Sequence, residues 1–543
     1  MLSNPHDLWP AAPPMRMELH YQERIVRCYD NRAESLDDLL RQAAADAPTS
    51  EAVVDGQRRR NYMELDAAAD AIALGLLARG IQPGQRVALL LSNRLEFVEC
   101  LFGIIRMGAI AVPLNVREQR FELQSILQHA EAKLLIHDAE LRDRLPSIEH
   151  VPSLTHRIAV GGPSPGSEPL DSLYALNGKP TAPLRGDDTA VIVYTSGTTG
   201  RPKGVMLTHL SIITSAMNYE FCWGLNGRDR SIMAVPANNV TGLVAVLFTM
   251  VRTCGATIMM RNFAAARFLE LAARERMTYA ILVPTMYHLF LLQADFADYD
   301  LRHWRIGAYG GALMPTQTIE RLAAALPHVQ LLNVYGATET TSPATLSPLD
   351  TGLLRPDTVG RPVPSADVIV VDDRGREVPD GKSGEVWIGG ASVAAGYWND
   401  LEATRAAFVG SYWRSGDVGS MMLDGYLKIL DRTKDQINRG GYKVYSAEVE
   451  DVLMRYPGVV EAVVVPTSDP VLGEKTHAIV RVDAGSASAV DLKSFCAEFL
   501  SDYKVPDFVT FVHEPLPRSD NGKILKRGIA DWIRSSAQSG ESG

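Results

Sequence analysis

From Leu65 to Ala78 apolar residues recur at the spacing of a helix with one buried face. Gly80 and the turn Gln82-Pro-Gly-Gln85 end it before the continuous apolar run Val87-Ala-Leu-Leu-Leu91, which reads as a strand. The alternation repeats at once. Asn93 is placed to cap a second helix whose apolar face includes Phe97, Leu101 and Ile105, Gly108 closes it, and Ile110-Ala-Val-Pro-Leu114 reads as the next strand. The segment Gly161-Gly-Pro-Ser-Pro-Gly-Ser167 is expected to divide this subregion from a second one that starts before the apolar, β-branched run Ala190-Val-Ile-Val-Tyr194. A helix over Phe268–Arg276, a strand over Ala280–Val283 and a turn at Pro284 continue the pattern to about residue 430. Strands alternating with helices predict mostly parallel sheets with helices on both faces.

After Asp431 the pattern changes. Residues 435–445 are polar and contain glycine, and a short helix over Ala447–Arg455 ends at Pro457-Gly458. Strands over Val459–Val465 and Ala478–Val482, a helix near Val490–Leu500 and a strand over Val509–Val512 follow. These make a module of domain size. The fold expected is α/β: a large N-terminal domain, residues 1–432, of α/β subdomains with mixed and parallel sheets, and a small, mobile α+β C-terminal domain, residues 433–543. A charged, glycine-containing hinge lies at the junction.

Composition narrows the functional classes. The chain has 543 residues, 46% of them hydrophobic, enough for more than one core. A net charge of −10 argues against a general binder of nucleic acid or anionic membrane, so any phosphate site is local. Cys28, Cys100, Cys222, Cys254 and Cys496 are scattered and never form a Cys-x-x-Cys pair, which fits a reducing compartment and offers no zinc site. The longest apolar run, near Leu243–Val251, stops at Arg252 and is too short to span a bilayer. The N-terminal residues lack the basic-then-apolar pattern of a signal peptide. A cytoplasmic protein is expected.

Five segments carry candidate chemistry. In Thr195-Ser-Gly-Thr-Thr-Gly-Arg-Pro-Lys-Gly204, hydroxyls and glycines (Thr195, Ser196, Gly197, Thr198, Thr199) precede Lys203, a set that suits phosphate: backbone N–H groups turned inward, short-range hydroxyl donors and one mobile charge. A flexible surface turn has the same composition, and alone the two readings stand level; the strand leading into the loop favours phosphate. The Walker pattern does not fit, because Lys203 stands three residues after Gly200 and is followed by Gly204. The second segment, Asn333-Val-Tyr-Gly-Ala-Thr-Glu-Thr340, offers a ring (Tyr335), a close approach (Gly336), a phosphate donor (Thr338) and a Mg²⁺ ligand (Glu339). The others are Tyr412-Trp-Arg-Ser-Gly-Asp-Val418, in which Asp417 either caps a turn or accepts from ribose hydroxyls, Asp431-Arg-Thr-Lys-Asp-Gln-Ile437 with Gly440-Gly441, and Pro517-Arg-Ser-Asp-Asn-Gly-Lys523.

In this order, from about Tyr62 to Lys523, the segments resemble the adenylate-forming superfamily, and within it the AMP-dependent acyl-CoA synthetases and ligases. The resemblance implies a ligase using ATP, Mg²⁺ and CoA. A carboxylate attacks the α-phosphate of ATP to give acyl-AMP and pyrophosphate, and a thiol then displaces AMP. It further implies that Thr195–Thr199 and Lys203 hold the β- and γ-phosphates, that Gly311, Ala312, Asn333 and Tyr335 surround adenine, that Thr338 meets the α-phosphate and that Glu339 meets magnesium. Asp417 and Arg432 grip ribose, Lys434 takes the hinge position, and Lys523 is the mobile lysine at the reacting carboxylate. Rotation of the small domain withdraws Lys523 and brings Gly440 and Gly441 to the site, where pantetheine passes close to backbone.

The acyl pocket implied by the resemblance involves Asn239, Gly242, Met286, Tyr309, Gly310 and Val334. Gly242, Gly310 and Gly311 are expected to leave room for a flat or linear apolar group, a fatty or aryl acid. Many acyl- and aryl-CoA synthetases carry a histidine where this chain has Asn239 and an aromatic where it has Asn238. The paired asparagines point either to a polar substituent on the acid or to loop structure, since Asn satisfies its own backbone in turns, and the second reading is preferred. No aspartate lies between Pro236 and Gly242 to hold an amino group, which argues against an amino acid. The alternatives are an acyl-AMP ligase that loads the phosphopantetheine of a carrier protein and, from another class, a non-catalytic nucleotide-binding protein. The partners expected are a small carboxylic acid and CoA, with no nucleic acid and no membrane span; a homodimer is allowed.

Overall fold

The computed structural model describes residue 9 and residues 12–21, 23–176, 178–180, 182–195, 202–312, 314–440, 442–482, 487–518, 524–526 and 528–529. A first sheet has seven strands in the order Lys203–Thr208, Thr189–Thr195, Ile110–Pro113, Arg86–Leu90, Leu134–Asp138, His156–Val160 and Glu168–Pro169. All its pairings are parallel except the first, in which Thr189–Thr195 and Lys203–Thr208 run antiparallel. A second sheet has nine strands, and its central strands Gln330–Tyr335, Ile306–Gly310, Tyr279–Leu282, Arg230–Met233, Ala256–Met259 and Glu51–Asp55 run parallel. Their near-continuous burial is what parallel strands covered on both faces require. A third, antiparallel sheet contains Tyr412–Met421 paired with Leu427–Arg432. The last sheet is built from residues 437–512 and has its own apolar core around Val449, Leu453, Val464 and Val480. The N-terminal hairpin Met15–His20 and Arg24–Tyr29 stands apart as a two-stranded sheet.

Several expected elements appear within about three residues of their predicted bounds: helices Tyr62–Ala78, Ala265–Arg274, Ser446–Met454 and Ala489–Phe499, and strands Arg86–Leu90, Ile110–Pro113 and Tyr279–Leu282. Four expectations are corrected. The loop at 161–167 divides nothing, because Thr189–Thr195 returns beside Ile110–Pro113 in the first sheet. Pro284 opens the helix Pro284–Gln293 at a position where its missing N–H costs no bond. The polar stretch 435–445 contains two short antiparallel strands, Ile437–Arg439 and Tyr442–Val444, turned at Gly440 with φ +59°.

The fourth correction concerns Asn93. The helix Leu95–Arg106 has Arg94 at its N-cap with no capping side chain, and Asp55 accepts from the Leu95 N–H instead. Asn93 is buried, and its Nδ2 donates to the carbonyls of Met233 (2.8 Å), Val235 (3.1 Å) and Met260 (3.2 Å) while its Oδ1 accepts from the Ala237 N–H. Those carbonyls lie where two strands of the second sheet end, so one amide fastens that sheet to the end of Arg86–Leu90 in the first.

The apolar run near Leu243–Val251 folds as a buried π-helical stretch, Thr241–Phe248, continued by Thr249–Arg252. Among the described residues no helix is long and apolar enough to cross a membrane. All the cysteines are free, Cys254 half-buried and the others buried. Burial pushes each thiol upward in pKa, Cys496 to about 11 and Cys28 to about 12.

Candidate active site

Gln330–Tyr335 ends the parallel run of the second sheet and points Tyr335 toward the third. The Tyr335 hydroxyl donates to Asp417 Oδ2 at 2.7 Å across 82 residues of sequence. Asp417 lies opposite Arg432 in the antiparallel pair, and its Oδ1 takes the Arg432 Nε at 3.0 Å. Burial, together with the Asp417 charge, holds the Tyr335 phenol well above its ordinary pKa, so it stays a donor. Asp417 is itself fixed at its backbone by Ser415 Oγ. Asn333 is buried beneath them, with its N–H on Ser347 Oγ and its amide on the Thr358 carbonyl. Three of the residues expected at the nucleotide therefore meet, and Gly311 and Ala312 lie exposed at the end of Ile306–Gly310.

Thr195 and Lys203 face each other at the open end of their antiparallel pair. The Lys203 ammonium stands 4.8 Å over the ring of Tyr397, and the Tyr397 hydroxyl donates to Glu339 Oε1 at 2.8 Å. Glu339 sits in the single turn Thr338–Thr340, and its carbonyl accepts from the Ala394 N–H at 2.8 Å. Lys203 and Glu339, expected at phosphate and metal, are thus joined through one aromatic side chain. Tyr397 is absent from the five segments; the only trace of it in the sequence is the aromatic pair after glycine in Gly396-Tyr-Trp398.

The acyl-side residues are placed differently. A Cβ on Gly242 would lie 2.7 Å from the carbonyl oxygens of Val235 and Pro236, and one on Gly310 would lie 2.5 Å from the Val334 carbonyl. Their missing side chains make room for backbone. Tyr309 is buried in the second sheet's core. The Asn239 side chain accepts from the Thr241 N–H at 2.9 Å, the loop role preferred from sequence. Met286 is half-buried one residue after Thr285, whose Oγ1 accepts from Arg518 at 3.2 Å. That contact brings the chain just before Lys523 against the second sheet. Lys434 lies in the exposed turn after Arg432. Ser196, Gly197, Thr198, Thr199, Gly441 and Lys523 fall outside the described residues.

Residues 40–398 match the family model described as AMP-binding enzyme, and residues 448–523 match its C-terminal domain. The chain belongs to the AMP-binding enzyme family. It is 35% identical to the long-chain-fatty-acid–CoA ligase FadD13 of Mycobacterium tuberculosis over 90% of this chain and 96% of that protein. Among solved structures, the anthranilate CoA ligase AuaEII in complex with anthranoyl-AMP superposes with a TM-score of 0.85 at 26% identity, covering 94% of this chain and 99% of that one. The o-succinylbenzoate CoA synthetase of Bacillus subtilis in complex with ATP and magnesium ion superposes with a TM-score of 0.80 at 27% identity, covering 92% and 100%. The fold is that of these adenylate-forming enzymes, α/β with parallel and mixed sheets. In this AMP-binding enzyme the first matched region ends just past Tyr397 and the second ends at Lys523, while Asp417, Arg432 and Lys434 lie between them.

The donor set suits a hard divalent cation. Oε1 of Glu339 is taken by a neutral hydroxyl, and Oε2 has no partner among the described residues.

Proposed function

We propose that this acyl-CoA synthetase joins a fatty or aryl acid to CoA by two half-reactions in one site. What supports the reading best is the meeting of Tyr335, Asp417 and Arg432 on one side and Lys203 and Glu339 on the other, residues from four separated segments whose order matches the family. Asp417 and Arg432 hold ribose, and Tyr335, pinned by its hydroxyl, offers a fixed ring to adenine. Thr195–Thr199 and Lys203 hold the β- and γ-phosphates, Thr338 the α-phosphate, and Glu339 binds Mg²⁺, which when bound offsets the charge on the leaving pyrophosphate. The acid's carboxylate oxygen attacks the α-phosphorus as the bond to pyrophosphate breaks, with Lys523 aligning the two anions. Rate comes from alignment and from cations placed where charge develops.

In the second step the thiol sulfur attacks the acyl carbon, the thiol proton is released and AMP leaves. Residues 433–543 move as a unit about Lys434, which withdraws Lys523 and brings Gly440 and Gly441 to line the thiol's path. Met286 and Val334 border the acyl group. The FadD13 ligase is named for long-chain fatty acids and AuaEII for anthranilate, so both acid classes belong in the test.

Pyrophosphate release is measured across short, medium, long-chain and aryl acids, with and without CoA. Acid-dependent release followed by acyl-CoA formation is expected. Acyl-AMP that reacts with carrier-protein thiol but not with free CoA would move the assignment to carrier loading. Lys523→Ala should slow adenylate formation by about a hundredfold or more while largely sparing thiolysis of supplied acyl-AMP. Equal loss of both steps would refute the domain alternation.

A further inference from the structure

Tyr397 has no place among the residues assigned above, yet it touches two of them. Among the buried tyrosines of the core, Tyr62 satisfies its hydroxyl on the carbonyls of Met250 and Gly255, Tyr279 on Ala245 and Tyr287 on Ala308, while Tyr29 and Tyr219 meet the neutral side chains of Asn218 and Ser342. Tyr397, also buried, donates to a half-buried carboxylate and offers its ring face to an ammonium.

Its position is fixed from several directions. Residues 394–398 lie as an extra strand along Lys203–Thr208: the Met206 N–H donates to the Gly396 carbonyl (2.9 Å), the Ala395 N–H to the Met206 carbonyl (3.1 Å) and the Trp398 N–H to the Gly204 carbonyl (2.7 Å). The Tyr397 N–H donates to Thr404 Oγ1 at 2.9 Å, and the ring meets Phe408 edge-on at 5.7 Å. From the N-terminal hairpin the buried Arg24 guanidinium donates to the carbonyls of Ala394 (2.8 Å) and Ala395 (3.2 Å). Phenol, carboxylate and ammonium are therefore held on one short strand and its two neighbours.

We propose that Tyr397 is a positioning residue for the metal–phosphate end of the site. Its hydroxyl holds one oxygen of Glu339 so that the other faces the cation, and its ring keeps the Lys203 ammonium beside the phosphate loop. This rests on the reading of Glu339 and Lys203 given above.

The two contacts are separable. Tyr397→Phe keeps the ring and removes only the hydroxyl; Tyr397→Leu removes both. In Tyr397→Phe the Mg²⁺ concentration for half-maximal pyrophosphate release should rise about tenfold, as for the loss of a partner that orients a metal ligand. Its KM for ATP at saturating Mg²⁺ should stay within about twofold of wild type, because the ring over Lys203 remains. Tyr397→Leu should add an increase in that KM. Mn²⁺ binding to the protein–ATP complex, read by electron paramagnetic resonance, should weaken in both variants and gives a readout that needs no turnover. An active wild type with an unshifted Mg²⁺ requirement and unshifted Mn²⁺ binding in Tyr397→Phe overturns the role of Tyr397. A fall in kcat alone, at unchanged metal dependence, also overturns it and leaves a packing residue. Wild-type protein that releases no pyrophosphate with any acid overturns the reading of the site itself.

Discussion

Asn93 bonds with both ends of one amide to four backbone groups that arrive from as far as 167 residues away. Asn93→Asp replaces the donor with a carboxylate facing three carbonyl oxygens. Leaving those groups unpaired and burying a charge should cost about 3 kcal/mol or more at pH 7. Urea unfolding reads this directly, and a midpoint equal to wild type would remove Asn93 from the junction between the sheets. From sequence alone Asn93 reads as a helix cap, because the local preference of Asn is visible there and the approach of distant strand ends is not. The same contrast separates the site residues. Tyr335, Asp417, Arg432, Lys203 and Glu339 are legible because each sits in a segment whose order and spacing match a family. Tyr397 is silent, since a buried tyrosine after glycine looks like any core residue until its partner is known. Gly242 and Gly310 show another limit: a glycine that admits a ligand and one that admits a carbonyl have the same letter.

At the scale of elements, the helix His209–Trp223 begins with a reciprocal cap between Thr208 and Ser211. His209, the first helical residue, is buried and its Nδ1 accepts from the Leu36 N–H at 3.1 Å. Desolvation lowers its pKa to about 4, and the positive end of the helix works in the same direction. The folded protein keeps this imidazole neutral, whereas the unfolded chain takes up a proton near pH 6.5. Stability is therefore complete above that value and is lost as pH falls toward 4, by on the order of 3 kcal/mol from this group. His209→Gln keeps an acceptor for Leu36 without the titration. Its urea midpoint should fall less than that of wild type between pH 7 and pH 4.5, and equal falls would assign the acid sensitivity elsewhere. Several strands and helices with clear periodicity are legible to within about three residues, while the strands Val459–Asp469 and Gly473–Val482 run further than the sequence shows. The π-helical stretch Thr241–Phe248 was not, because a continuous apolar run reports burial but not winding. Pro284 was ambiguous in kind, since proline suits a turn and a helix start alike.

Across the whole molecule, the change of character after Asp431 is reflected in a sheet and an apolar core made from residues beyond it. The seam is polar: Asp431 Oδ2 accepts from the Ser446 N–H and hydroxyl, and the Lys526 ammonium bonds Ser446 Oγ and pairs with Glu450 at 2.7 Å. A seam of hydrogen bonds and charges can exchange for water, which an apolar one resists. How the first sheet interleaves with the second escapes the sequence, because Glu51–Asp55 pairs with Ala256–Met259 although the strands of the first sheet lie between them in the chain. The state of the thiols bears on the chemistry as a whole. Acyl-adenylates are electrophiles that acylate accessible thiolates, and this chain keeps each of its five thiols protonated and wholly or half buried. Held with acid, ATP and Mg²⁺ in the absence of CoA, the protein should gain no hydroxylamine-labile thioester mass on any cysteine. An acyl-cysteine peptide found after digestion would contradict this. The incoming cofactor would then be the one sulfur nucleophile the intermediate meets, and the enzyme would be spared modification by its own product while it waits.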